Sequence, residues 1–83
     1  MKVKARYRAQ LAKLAGLNEE AIDAAAVKDV LKHIKKSFGA EAEKTAKSMI
    51  IAVNGQSILH LKHFKTALQD GDEDAFMPIC GGG

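Results

Sequence analysis

Apolar and polar positions alternate strictly over residues 2–8, with Val3, Ala5 and Tyr7 on one side and Lys2, Lys4, Arg6 and Arg8 on the other. A period of two is that of a half-buried strand. From Ala9 the period lengthens: Leu11, Leu14 and Ala15 recur at helical spacing, and Gly16 follows. This predicts a short helix over residues 9–15, closed near Gly16. Residues 17–24 carry no decisive pattern of their own. Beyond them Val27, Val30, Leu31, Ile34 and Phe38 return every three or four residues, one apolar stripe of a helix that Gly39 ends. Ala26 stands where a serine or threonine would cap that helix, a weakness of about 0.5–2 kcal/mol. Lys28, Lys32, Lys35 and Lys36 occupy the opposite side, either as a solvated face or as a docking stripe for an acidic partner.

Residues 40–47 are helix-prone but weakly patterned, and read as a loose turn or helix. Residues 49–53 are continuously apolar, as in a strand covered on much of both faces. Asn54-Gly55 is a hairpin signal, because both residues tolerate positive φ. A returning strand is then expected over residues 56–61, with Ser57, Leu59 and Leu61 alternating against Ile58, His60 and Lys62. Residues 64–68 read as one helical turn. Asp70-Gly71-Asp72 turns the chain into a final strand that runs through Phe76 and stops at Pro78, which has no N–H to donate. Alternation points Phe76 into the core and Ala75 and Met77 outward. The same alternation aims Asp74 inward, where an unpaired carboxylate is costly. Asp74 is therefore expected either at a wet strand start or paired with Lys4 or Arg6.

Eighty-three residues make one domain. The division expected is a folded unit of residues 1–79 followed by a flexible glycine tail, residues 80–83. A net charge of +3, with the lysines dispersed, argues against nucleic acid as a partner. The one cysteine makes no internal disulfide, the first residues have no apolar signal core, and no apolar run is long enough to span a bilayer. A cytoplasmic protein without membrane attachment is the expectation.

The run from Asp70 to Phe76, Pro78 and the closing Gly82-Gly83 resembles the end of the small subunit of molybdopterin synthase. More broadly it is similar to the ubiquitin-like sulfur carriers, the thiamine-biosynthesis carrier among them. The resemblance spans nearly the whole chain, though only its last third is motif-specific. The predicted helix over residues 9–15 favours the molybdopterin type within the family. The resemblance implies an α+β fold of the β-grasp (ubiquitin-like) kind: a mixed sheet of four or five strands with a crossover helix, and residues 17–24 as its second strand. A right-handed crossover sets the first and last strands side by side and parallel.

The family's chemistry is implied in the same way. Gly83 is expected to end the chain in a free carboxylate, which a ubiquitin-activating-type adenylating enzyme activates with ATP and a sulfur donor protein converts to a thiocarboxylate. Gly81 and Gly82 are expected to enter a slot in the partner too narrow for side chains, and Ala75, Met77 and Pro78 to form the docking surface. The molybdopterin synthase large subunit would then receive the tail. No cofactor is expected to bind the chain itself, and no catalytic residue or metal site is expected in it. Cys80 reads as a small apolar residue or, alternatively, as a thiol able to attack the acyl adenylate. His60 and His63 share a His-x-x-His spacing without a second ligand pair, and His33 reads as a partly exposed residue on the helix edge. Three other functions stay open: a sulfur carrier for thiamine or another sulfur metabolite, a protein modifier joined through Gly83 to a lysine, and an interaction module whose tail is inert.

Overall fold

In the computed structural model, which describes residues 1–79, the alternating N-terminal residues form strand β1 (Lys2–Arg6), with Val3, Ala5 and then Tyr7 buried. The chain continues through α1 (Ala9–Ala15), β2 (Glu19–Asp23), α2 (Val27–Phe38), α3 (Ala40–Lys47), β3 (Ile50–Val53) and β4 (Gln56–Ser57). Two 3-10 turns (Ile58–His60 and His63–Lys65) and β5 (Glu73–Met77) complete it. The strands form one sheet in the order β2-β1-β5-β3-β4. β1 and β5 are parallel, while β1–β2, β3–β4 and β3–β5 are antiparallel. This is the mixed β-grasp sheet, with the last strand at its centre.

Each helix is placed by its apolar residues. α1 stops where Gly16 takes a left-handed φ of 77° and its N–H donates to the Ala12 carbonyl at 2.9 Å, a conformation that costs glycine little. α2 buries Val27, Val30, Leu31 and Ile34 in one cluster with Val3, Ala5, Ile22, Ile51 and Phe76. Burial of each such aliphatic side chain contributes about 1.5–3 kcal/mol. The Tyr7 ring meets Phe38 edge-on at 5.8 Å and Phe76 at 6.0 Å, joining helix to sheet.

The start of α2 is better held than Ala26 suggests. The Asp29 carboxylate accepts from the N–H groups of both Ala25 and Ala26 at 3.1 Å, and the Val27 N–H donates to the Thr66 carbonyl at 3.0 Å. The Asp29 N–H, which a capping hydroxyl at position 26 would satisfy, donates instead to the Ala26 carbonyl at 3.0 Å. Residues 40–47 form a full helix, α3, whose buried residues are Ala42 and Ala46. Alanine's weak hydrophobicity explains the faint pattern there.

The expected strand over residues 56–61 is corrected. β4 ends at Ser57, whose Oγ accepts from the Leu59 N–H at 3.2 Å, and the Leu61 N–H donates to the Ile58 carbonyl at 3.0 Å. A serine side chain that offers the backbone a local acceptor competes with the ladder, and the chain coils instead. The turn expected over residues 64–68 lies at His63–Lys65, leaving Thr66 and Leu68 buried beyond it. The second strand is shorter than residues 17–24, and the apolar run of β3 is not covered throughout, since Ile50 stays 40% exposed.

Candidate functional site

The Asp70-Gly71-Asp72 motif is the brace that aims β5. The Lys2 N–H donates to Asp70 Oδ1 at 2.8 Å, and the Gly71 N–H donates to the Lys2 carbonyl at 2.9 Å. Asp72 Oδ2 accepts from the Gln69 N–H at 2.8 Å and Asp72 Oδ1 from Asn54 Nδ2 at 3.0 Å, while Asn54 Oδ1 accepts from the Glu73 N–H at 2.9 Å. These bonds hold the Asp72 carboxyl below the usual carboxylate range, the Asn54 contact first. The entry to β5 is thus tied to both neighbouring strands. On the outer face Arg6 Nη1 meets Glu73 Oε2 at 3.0 Å.

β5 is hydrogen-bonded on both sides. Ala75 stands opposite Arg6 and Ala52, Phe76 opposite Ile51, and Met77 opposite Ile50. Phe76 is fully buried, whereas Ala75 and Met77 lie half-buried on the other face. Pairing stops at Met77, and Pro78 and Ile79 follow exposed, Ile79 at 70%. A shallow hollow at this end is lined by Arg8, Ala9, Ile50, Met77 and Pro78. Of the predicted residues Ala75, Met77 and Pro78, the last two line this hollow, and Ala75 lies two residues before Met77 on the same face of β5. Ile50 and Arg8 join it without having been singled out. Strand alternation against Ile51 was the signal for Ile50, masked by the unbroken apolar run. Gly81, Gly82 and Gly83, together with Cys80, lie outside the described residues.

Asp74 departs from both expectations. It is fully buried, neither oxygen has a hydrogen-bond partner among the described residues, and burial pushes its pKa up from 3.8 to about 7. The basic groups expected to meet it are engaged on the opposite face: Arg6 with Glu73 and Glu19, and Lys4 with Glu19. Register explains this, because Asp74 is level with Ala5, whose neighbours Lys4 and Arg6 point the other way.

The sequence profile described as the ThiS family matches residues 5–83. The chain belongs to the ThiS family. No curated protein matches it. Among solved structures, it is similar to the small archaeal modifier protein 1 (SAMP1) from Methanosarcina acetivorans. That match has 28% identity and a TM-score of 0.85, covering 99% of this chain and 96% of the other. It is also similar to a candidate molybdopterin converting factor, subunit 1, from Pyrococcus furiosus. Here identity is 29% and the TM-score 0.73, over 96% of this chain and 99% of the other. A complex of subunits 1 and 2 of the molybdopterin-converting factor from Helicobacter pylori shares the fold. It matches at 23% identity and a TM-score of 0.70, covering 99% of this chain and 100% of the other.

The remaining polar candidates of this ThiS-family chain are structural in their surroundings. His33 Nε2 lies 2.9 Å from Glu20 Oε2, which also accepts from the Tyr7 hydroxyl at 2.6 Å. Burial and then the Glu20 carboxylate hold the Tyr7 phenol well above its ordinary pKa, so it stays a donor. His60 and His63 are exposed on separate 3-10 turns. Among the described residues no group of three or more His, Cys, Asp or Glu side chains is placed to hold a metal. Among the same residues no helix is long and apolar enough to cross a membrane.

Proposed function

We propose that this chain is a sulfur carrier whose Gly83 carboxylate becomes a thiocarboxylate and donates sulfur in molybdopterin formation. The observation that carries the reading is the family match extending through Gly83, on a strand paired with β1 as far as Ala75 and with β3 as far as Met77. A fixed root and a glycine end suit a group that must be presented inside another protein. On this reading the activating steps fall to partner enzymes.

A carboxylate is a poor electrophile. Its oxygen would attack the α-phosphorus of ATP in a ubiquitin-activating-type enzyme, releasing pyrophosphate and forming an acyl adenylate. The outer sulfur of a donor protein's persulfide would then attack the carbonyl, AMP leaving with the former carboxylate oxygen, and a thiol would cleave the resulting acyl disulfide, leaving the thiocarboxylate on Gly83 and a disulfide on the donor. Gly81 and Gly82 would lie in the partner's slot, while Ala75, Met77 and Pro78 make the surface on which the partner rests. Methionine adapts to more than one partner, which suits loading by one enzyme and unloading by a molybdopterin synthase large subunit. The described likeness to a Pyrococcus furiosus converting factor subunit 1 supports that destination.

The similarity to a Methanosarcina acetivorans small archaeal modifier protein favours a second reading, conjugation through Gly83 to a lysine. Intact mass spectrometry of protein from its native host separates the two. A carrier shows a mass increase equal to replacing one oxygen by sulfur, and a modifier shows conjugates of higher mass; both vanish when Gly83 is removed. Neither product, in a host that makes the cofactor, would leave the inert-tail module standing.

A further inference from the structure

Five large apolar side chains stay exposed among the described residues, and four of them, Ile50, Leu59, Phe64 and Ile79, line one groove. Leu59 and Ile79 are each 70% exposed, an unusual concentration of apolar surface on so small a chain. The groove holds about 380 Å³, with Lys47 and His63 on its rim. It exists because Ser57 coils the chain after β4. A continued strand would have laid this segment along the sheet.

The charge around it has one sign. Residues 47–69 include Lys47, Lys62, Lys65, His60 and His63 and no aspartate or glutamate. Phe64 and Lys47 also line a smaller hollow of about 200 Å³, together with Lys28, Lys32, Leu31 and Glu43. Glu43, the acid there, is paired with Lys47 at 3.8 Å. Lys28 and Lys32 stay exposed with no ion pair among the described residues. An apolar slot and a basic hollow thus share one wall, formed by Phe64 and Lys47.

We propose that this groove docks a short acidic segment of a partner protein, in which a large apolar side chain is followed within a few residues by carboxylates. The apolar side chain fills the space between Leu59 and Phe64, and the carboxylates face Lys28, Lys32 and Lys47. Its concave shape fits a side-chain anchor better than a flat lipid surface. A second copy of the chain is disfavoured by the like charge that both rims would bring together. Because Ile79 forms part of the wall, an occupant also grips the root of the glycine tail. The inference uses only groups outside the tail and stands whatever Gly83 carries.

The test titrates the 15N-labelled full chain with a synthetic peptide in which a Leu-Leu pair precedes a run of glutamates, read by amide shifts. Saturable shifts at Ile50, Leu59, Phe64 and Ile79 are expected. Replacing the glutamates by glutamines should weaken binding about tenfold, as for the loss of a few exposed ion pairs. Leu59→Ser and the double variant Lys28→Glu/Lys32→Glu, all at exposed positions, should each weaken it by about tenfold or more while leaving the unliganded spectrum folded. The idea is overturned by unchanged spectra at peptide saturation of the solvent, or by shifts centred on Ala75 and Met77 instead. Equal binding of the glutamine peptide, self-association through the groove, or binding of phosphatidylserine vesicles without binding of the peptide would overturn it too.

Discussion

Asp72 and Asp74 stand two residues apart at the same end of β5, and their surroundings drive them in opposite directions. In the turn, Asp72 accepts from Asn54 and from the Gln69 backbone, and its ionised form is favoured. Inside the sheet, Asp74 shares the core face with Phe76, accepts nothing from the described residues, and is driven towards its neutral form. A carboxylate is tolerated where donors are aimed at it and resisted where they are not, whatever its distance along the chain. The brace and the flaw lie on the same strand. The first anchors β5, and the second makes its hold depend on pH.

Removing the apolar neighbour tests how much of that hold is packing. Phe76→Ala should cost about 3–5 kcal/mol in denaturant unfolding, since it empties a fully enclosed site against Tyr7 and Ile51. A loss below about 1 kcal/mol would mean that β5 is held by its ladder alone.

Asp74 comes next. Its folded pKa of about 7 lies above the ordinary 3.8, so its favourable contribution is complete below about pH 4 and is lost as pH rises towards 7. A shift of that size corresponds to at most about 4 kcal/mol across the window. Asp74→Val should flatten this slope and exceed the natural chain in stability at pH 8. A natural chain that instead gains stability between pH 4 and 7, with the variant following in parallel, would remove Asp74 from the account.

The smallest effect belongs to Asp72. With its pKa lowered, its contribution is present above the ordinary carboxylate range and lost as pH falls through the folded value. Asp72→Ala should therefore lower the unfolding midpoint slightly at neutral pH and have little effect in strong acid. Hydrogen exchange at Gln69 should quicken with it. Equal protection at Gln69 in both proteins would show that the turn does not rely on this side chain.

Much of the fold was legible because periodicity reports which face is buried. The stripe Val27, Val30, Leu31 and Ile34 and the alternation Val3, Ala5 and Tyr7 each describe a local geometry that the core then uses. The same alternation set Ala75 and Met77 on the face of β5 opposite Phe76. Residues 56–61 were misread because alternation there competes with one hydroxyl: the Ser57 side chain captures the Leu59 N–H, an interaction with no periodic signature. Asp74 was read correctly as inward-facing, but its lack of a partner followed from register, which sets Lys4 and Arg6 on the opposite face.

On its own, the sequence determined the first and last strands with their inward and outward faces, the helices over residues 9–15 and 27–38, and the turn motif that carries the family resemblance. Those properties follow from short-range spacing, and spacing is written along the chain. Tertiary structure decided that Asp74 is sealed without a donor among the described residues, that Asp29 holds the start of α2, and that Ile50, Leu59, Phe64 and Ile79 converge on one groove. Each of these depends on which distant residues meet, and that is settled only when the strands take their register and the helices close over them.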